Sequence, residues 1–158
     1  MDSNKKIKMI AFAGSVILDL LILDLFTKYA VKNGLIAKID LLPRFFAITH
    51  HENHGLIGNF PLPYWAIIVL VLVALVFLFL GMRQAVQEER YLELFALAVV
   101  AGGALGNFVD RLVNGYVFDW LMFFNTSIIN IADIFITLGI MVYAWSRFKM
   151  SQESSLSE

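Results

Sequence analysis

Residues 64–82 read YWAIIVLVLVALVFLFLGM and carry no charged side chain. A helix crosses the hydrocarbon core of a bilayer with about 20 mostly apolar residues. In that medium every backbone N–H and C=O has to be satisfied within the protein, which an uninterrupted helix does by itself. This stretch is therefore a membrane span, and it decides the class of fold. Three further stretches of similar character lie at about residues 8–29, 91–110 and 128–147. Pro43, Pro61 and Pro63, the three prolines of the chain, all fall outside these spans, where they punctuate loops. The expected fold is an all-α membrane protein of four transmembrane helices.

Composition points the same way. Of 158 residues, 59% are apolar and 16% charged, with mean hydropathy +0.75. A soluble domain is nearer half apolar and a quarter charged. The net charge of −1 gives no basic surplus for nucleic acid. The absence of cysteine excludes disulfides, thiol nucleophiles and Cys-based metal sites. The length fits one membrane-embedded domain over residues 1–150, with a polar, disordered tail at 151–158. Lys5, Lys6 and Lys8 precede the first apolar run as in a secretory leader, but the run from residue 7 to about 26 is longer than a leader's apolar region of roughly 7–15 residues. It is expected to be a retained first helix.

Four spans put both termini on one side. Lys5, Lys6, Lys8, Arg83, Arg90, Arg147 and Lys149 share that side, against Lys28, Lys32, Lys38, Arg44 and Arg111 on the other. The excess of Lys and Arg marks the cytoplasmic face, so the termini and the tail are expected there. Tyr64, Trp65 and Trp120 are expected at the outer interface, and Tyr143 and Trp145 at the inner one. The outer segment at residues 31–63 is too long for a plain connector. Its β-favouring stretches, 36–42 and 45–49, predict a small extracytoplasmic sheet between helices 1 and 2.

Polar side chains are costly within a span and mark functional sites by default. Here Asp24 and Lys28 sit near the outer end of the first helix, and Asn107, Asp110 and Arg111 at the outer end of the third. Asn130 and Asp133 open the fourth, Asp119 lies in the connector before it, and Asn53 in the long outer loop. All converge on one membrane face. Asp24 and Lys28, four residues apart, are placed to pair along a helix. Asn107, Asp110 and Arg111 likewise share one helix face, and such groups also serve simply to join helices. Asp119 and Asp133 have no basic neighbour in sequence, which favours a chemical role. Gly102 and Gly106 form a G-x-x-x-G for close helix packing that fixes Asn107 and Asp110. Asp19, mid-span in the first helix, is expected to be protonated or paired.

Two other readings stay open at this point. All the histidines fall in His50-His51-Glu52-Asn53-His54, and His50 and His54 would meet as metal ligands on a helix. The zincin order H-E-x-x-H is not kept, however, and the segment lies between Pro43 and Gly55. Intramembrane acids also line ion pathways, but a pathway needs polar groups through the whole depth, and the inner halves of the second to fourth helices lack them.

Five motifs occur in order: Asp24-Leu25-Phe26-Thr27-Lys28, Asn53-His54-Gly55, Gly106-Asn107-Phe108-Val109-Asp110-Arg111, Val117-Phe118-Asp119-Trp120 and Asn130-Ile131-Ala132-Asp133. On these the chain resembles the lipoprotein signal peptidase (signal peptidase II) family. The resemblance implies an aspartyl endopeptidase of the bacterial cytoplasmic membrane, multi-pass, monomeric and without a cofactor. Its site would face outward among membrane lipid. It would remove the signal peptide from diacylglyceryl-modified prolipoproteins, cutting just before the lipidated cysteine. The implied catalytic pair is Asp119 and Asp133, with Asp24, Lys28, Asn53, Gly55, Asn107, Asp110, Arg111 and Asn130 in support. A non-catalytic paralogue that binds lipoprotein signals is the alternative within this resemblance. Leu56, Ile57 and Ile129 depart from the family pattern of small residues after N-x-G and Phe before N-x-A-D, and the stretch from 119 to 133 is short.

Amide hydrolysis needs an activated water and a proton donor, and two neighbouring carboxyls supply both. Like charges at close range do not both ionise, so the pair shares a proton. Asp133, near the start of a helix, is favoured in its charged form by the helix dipole. That hints at Asp133 as base but does not assign the two roles within a coupled pair.

Overall fold

The computed structural model describes residues 3–37, 39–42, 45–56 and 60–155. Lys38, Pro43, Arg44 and Ile57, each named above, lie outside the described residues. Four long helices account for most of the chain: α1 (Ser3–Lys32), α2 (Tyr64–Gln87), α3 (Tyr91–Asn114) and α4 (Ile131–Ser155). Each contains a stretch long and apolar enough to cross a membrane. The four expected spans are thus all present, extended at their ends by polar turns.

Helix α3 is the hub, packing against α1, α2 and α4. Its membrane stretch is 61% buried within the protein, against 6% for α2, whose apolar side chains face outward. Small residues make this possible. A Cβ at Gly102 would press on Leu20 and the Ile17 carbonyl of α1, and one at Gly106 would overlap the Asp24 carboxylate. Gly102 and Gly106 thus do set the α1–α3 contact. Gly103 and Gly139 do the same for α3 against α4, where an added Cβ would strike the Ala132 and Ala96 carbonyls respectively. Lipid tails are as apolar as Leu, so close backbone approach rather than a hydrophobic drive holds such helices.

The sheet is larger than the sequence reading. Four antiparallel strands run in the order β1 (Ile39–Leu42), β2 (Phe46–Asn53), β3 (Val117–Phe123) and β4 (Ser127–Ile129). Half of it therefore comes from the segment between α3 and α4, which was expected to be a connector with Ile128 and Ile129 already helical. The segment is short because it is a tight hairpin. Phe124 and Asn125 adopt left-handed backbone, with φ of 52° and 54°. The Thr126 N–H closes the turn on the Phe123 carbonyl at 3.1 Å. Consecutive positive-φ residues match the twist of paired strands. Ile129 then pairs with Leu121 and packs with Val31, Phe118, Trp120 and Leu121 beneath the sheet, a natural place for a β-branched side chain.

Two smaller expectations need correction. Trp120 is buried in that cluster rather than placed at an interface, because β3 is central in the sheet and buried over most of its length. Trp65, 70% exposed at the start of α2, does fit an interface. The tail does not begin at Ser151, since α4 runs on to Ser155. Ser, Gln and Glu do not break a helix, and Lys149 pairs with Glu153 at 3.9 Å across one turn. At the end of the bundle that carries the termini, Lys5 pairs with Glu89. Arg90 holds the buried Glu93 through two bonds of 2.9 and 2.7 Å, and Arg147 of α4 reaches the same carboxylate at 3.6 Å.

Candidate active site

At the opposite end of the bundle the polar residues meet. Asn130 follows β4 and caps α4. Its Oδ1 accepts the Asp133 N–H at 3.0 Å, and the Asp133 Oδ2 accepts the Asn130 N–H at 3.3 Å. This reciprocal capping satisfies two backbone donors that a helix start leaves free, and it explains why the helix begins after Asn130. The same Asn130 donates through Nδ2 to Asp119 Oδ1 at 2.6 Å and to Asn107 Oδ1 at 2.9 Å. One residue thus touches both aspartates, by its side chain on one and its backbone on the other.

Asp119 lies on β3, not in a loop, and is 1% exposed. Its second oxygen accepts from Asn53 Nδ2 at 3.0 Å. Asn53 is the last residue of β2 rather than part of a free loop. Between the pairs Ile48↔Leu121 and His51↔Asp119 strand β2 carries one residue more than β3, a bulge of the kind that re-aims side chains next to functional sites. Beyond it the Asn53 Oδ1 accepts the Gly55 N–H at 3.0 Å. Arg111 Nη2 holds the Gly55 carbonyl at 3.1 Å, and Arg111 Nη1 its own helix at the Asn107 carbonyl at 3.2 Å. Arg111 therefore ties the Asn53 turn to α3. The Tyr64 hydroxyl donates to the Arg111 carbonyl at 2.6 Å, a link between α2 and the site that sequence reading took only for an interface anchor.

Asn107 sits between the two sides. Its Nδ2 donates to Asp133 Oδ1 at 2.8 Å, while its Oδ1 accepts from Asn130 and from Lys28 Nζ, the latter at 3.0 Å. Lys28 also pairs with Asp24 at 2.7 Å and with Asp110 at 2.9 Å. Asp24 Oδ1 accepts the Ala132 N–H at 3.0 Å, and Asp110 Oδ2 accepts the Phe118 N–H at 3.1 Å. The first bond ties α1 to the start of α4, and the second ties α3 to the strand bearing Asp119. All ten residues singled out by the motifs lie in this one connected network.

Burial lifts the Asp119 carboxyl to about 6, with the Asp133 charge adding to the lift and the Asn53 and Asn130 amides working against it. The histidines take a different arrangement from a helical ligand pair. His50 and His51 lie on β2, where neighbours point to opposite faces. His50 Nε2 lies 3.2 Å from the Val31 carbonyl, and His54 pairs loosely with Glu52 at 3.6 Å. Asp19 is exposed on α1, and its carboxyl meets no partner among the described residues, so the expected pairing is not made within them. Leu56 is half-buried, its N–H on the Phe60 carbonyl at 3.0 Å.

Residues 16–149 match the family model described as signal peptidase (SPase) II. The lipoprotein signal peptidase of Bartonella quintana (strain Toulouse) is 34% identical over 128 residues, covering 75% of each chain. That of Francisella tularensis subsp. novicida (strain U112) is 36% identical over 131 residues, covering 75% of this chain and 80% of its own. A bacterial membrane enzyme solved at 2.3 Å superposes with TM-score 0.75 at 26% identity, over 91% of this chain and 92% of the other. One solved at 1.9 Å gives 0.70 at 26% identity, over 89% and 94%. The chain is a membrane protein that belongs to the signal peptidase II family, the proteases that remove signal peptides from lipoproteins.

Proposed function

We propose that the protein is an aspartyl endopeptidase acting at the outer membrane interface, with Asp119 and Asp133 as its catalytic pair. The observation that carries this reading is the bridge made by Asn130, which holds carboxylates from a strand and a helix start in one site. Their environments differ as acid and base require. Asp119, buried and lifted to about 6, keeps its proton longer. Asp133 is partly exposed in the first turn of α4, within reach of the attacking water. Asp133 then takes a proton from the attacking water while Asp119 donates its own to the carbonyl oxygen; as the C–N bond breaks, Asp133 passes its proton to the leaving amine and Asp119 takes back the proton of the collapsing hydroxyl.

The substrate would be a diacylglyceryl-modified prolipoprotein, cut just before the modified cysteine. Its signal peptide is itself a membrane helix and has to unwind to present a peptide bond. Exposed Phe45 and Phe124, whose rings meet at 5.8 Å in turns next to strands β2 and β3, and exposed Trp65 at the start of α2 offer apolar surface. The reading is tested with a synthetic diacylated lipobox peptide in buffer containing a chelator. A single cut before the modified cysteine is expected, at a rate the chelator leaves unchanged. Loss of activity on chelation would instead favour a metal enzyme.

The same assay addresses the supporting residues. Asn107→Ala leaves Lys28, Asn130 and Asp133 each short of a partner, and a buried polar group without one costs about 1–3 kcal/mol. Arg111→Ala releases the Asn53 turn that donates to Asp119, and misplacement near a reacting group costs about 100-fold in rate. Both variants are expected to cleave at least tenfold more slowly. Wild-type rates and melting temperatures in both would remove these residues from the site.

The proposed orientation places the termini in the cytoplasm. Lys28 and Arg111 are buried in the site, so they do not count as interfacial charges, and this sharpens the excess of Lys and Arg at the termini end. A cysteine introduced as Thr126→Cys, in the β3–β4 turn, is expected to react with an impermeant thiol reagent added to intact cells. One introduced as Gln87→Cys, at the end of α2, is expected to react only after permeabilisation. The reverse pattern would invert the protein.

A further inference from the structure

At the termini end, opposite Asp119, a groove of about 430 Å³ opens between α1, α2 and α3. Its walls are apolar, among them Ile10, Ile17 and Phe79, and Lys6 and Arg83 stand in its lining. Gly14 lies on its α1 wall, where an added Cβ would meet nothing within 4 Å. No packing contact therefore demands a glycine there, although glycine weakens a helix by about 1 kcal/mol relative to Ala. What its small size provides is width in the groove. From Lys6 to Ile17 the α1 wall runs about 16 Å at 1.5 Å per residue, a length suited to much of an acyl chain.

Among the described residues the acids nearest the groove are already engaged. Glu89 pairs with Lys5, Glu88 with Arg90 at 2.6 Å, and Glu93 with Arg90 at 2.7 Å. Lys6 and Arg83 have no acidic partner among the described residues and are exposed. Two free cations at the polar mouth of an apolar groove fit a phosphate carried on an acyl chain. They do not fit a signal peptide, whose own leading segment is positively charged and would be repelled.

We propose that this groove binds one anionic phospholipid of the leaflet on the termini side, with an acyl chain along Ile10, Gly14 and Phe79 and the phosphate between Lys6 and Arg83. Binding would tie α2, the least buried helix, to α1 and α3 from the face away from the site. The inference is independent of which residues cleave the substrate.

The test uses the full chain, purified in a neutral detergent and titrated with phosphatidylglycerol, phosphatidylcholine or sodium phosphate. Native mass spectrometry and thermal melting give the readout. Phosphatidylglycerol is expected to form a one-to-one adduct and raise the melting temperature, phosphatidylcholine to bind at least fivefold more weakly, and sodium phosphate to have no effect. Lys6→Gln/Arg83→Gln is expected to weaken phosphatidylglycerol binding about tenfold, each cation near anionic lipid contributing a few-fold. Gly14→Leu is expected to fill the groove and abolish the adduct, leaving the cleavage rate unchanged because Gly14 touches nothing in the site. Equal binding of the two lipids, or an unaltered adduct in Gly14→Leu, would overturn the proposal. So would a raised KM for the lipobox peptide in Gly14→Leu with the lipid adduct intact, since that would assign the groove to the substrate.

Discussion

Asp119→Asn and Asp133→Asn are each expected to abolish cleavage of a diacylated lipobox peptide, by about 1,000-fold or more, in a protein that remains folded. Asn keeps the size and one acceptor of Asp but neither takes a proton from water nor donates one as an acid. In Asp119→Asn the new amide group faces Asn53 or Asn130, both donors to the native carboxylate, at a cost of about one hydrogen bond, 1 kcal/mol. Removing a buried charge offsets this, so the fold is kept. The two losses should not add, because either change breaks one proton relay. A folded single variant cleaving at a near wild-type rate would end the assignment.

Proton linkage gives that variant a second signature. The folded Asp119 carboxyl stands near 6, above its ordinary value of 3.8. Its contribution to stability is therefore fully present below about 3.8 and lost as pH rises through about 6. Asp119→Asn carries no such loss, so its melting temperature should gain on wild type between pH 4 and pH 7. If Asp119 is the acid, wild-type kcat/KM should also fall as pH rises through about 6. A melting difference that does not change with pH would mean that Asp119 is not held protonated.

What could be read from sequence follows from range. Each span is a local property, decided by whether some twenty consecutive side chains tolerate lipid, so α2 could be assigned from residues 64–82 alone. That the polar residues gather at one end of the bundle was legible for the same reason, because the level of Asp24, Asn107 and Asp133 follows from counting along a helix. Partners across the network were not. Nothing in one sequence pairs Asp24 with the Ala132 N–H, or Arg111 with the Gly55 carbonyl, since those contacts depend on the crossing of α1, α3 and α4. Strands β3 and β4 were missed because Val117–Phe123 is a continuous apolar run with one acid, which resembles a helix start as readily as a buried strand. The Asn130–Asp133 capping pair was the available signal for where α4 begins. Its three-residue spacing could have moved that start past Ile129.

The largest stability effect is expected at Lys28. Its ammonium lies against Asp24 and Asp110 and also donates to Asn107, and all four residues are buried. Two carboxylates and one ammonium leave a negative excess, which the Ala132 and Phe118 backbone N–H groups help to offset. Removing one partner of a buried ion pair costs about 3–5 kcal/mol, because the remaining charge has neither water nor a counterion. Lys28→Met keeps most of the apolar stem and removes the ammonium with its charge and hydrogen bonds, so it separates their loss from that of packing. It should lower the melting temperature in detergent markedly, and the damage should reach α4, since the Asp24 carboxylate that accepts the Ala132 N–H loses its cation along with Asp110. Neutralising the acids as well, in Lys28→Met/Asp24→Asn/Asp110→Asn, should restore much of the lost stability, because a buried cluster without charge has no desolvation penalty to recover. Activity should not return with it, since Asn107 still lacks the Lys28 donor and its hold on Asp133 is altered. A Lys28→Met protein melting within about a degree of wild type would show that the three charges are not coupled. A triple variant no more stable than the single one would show that Lys28 acts through packing rather than charge.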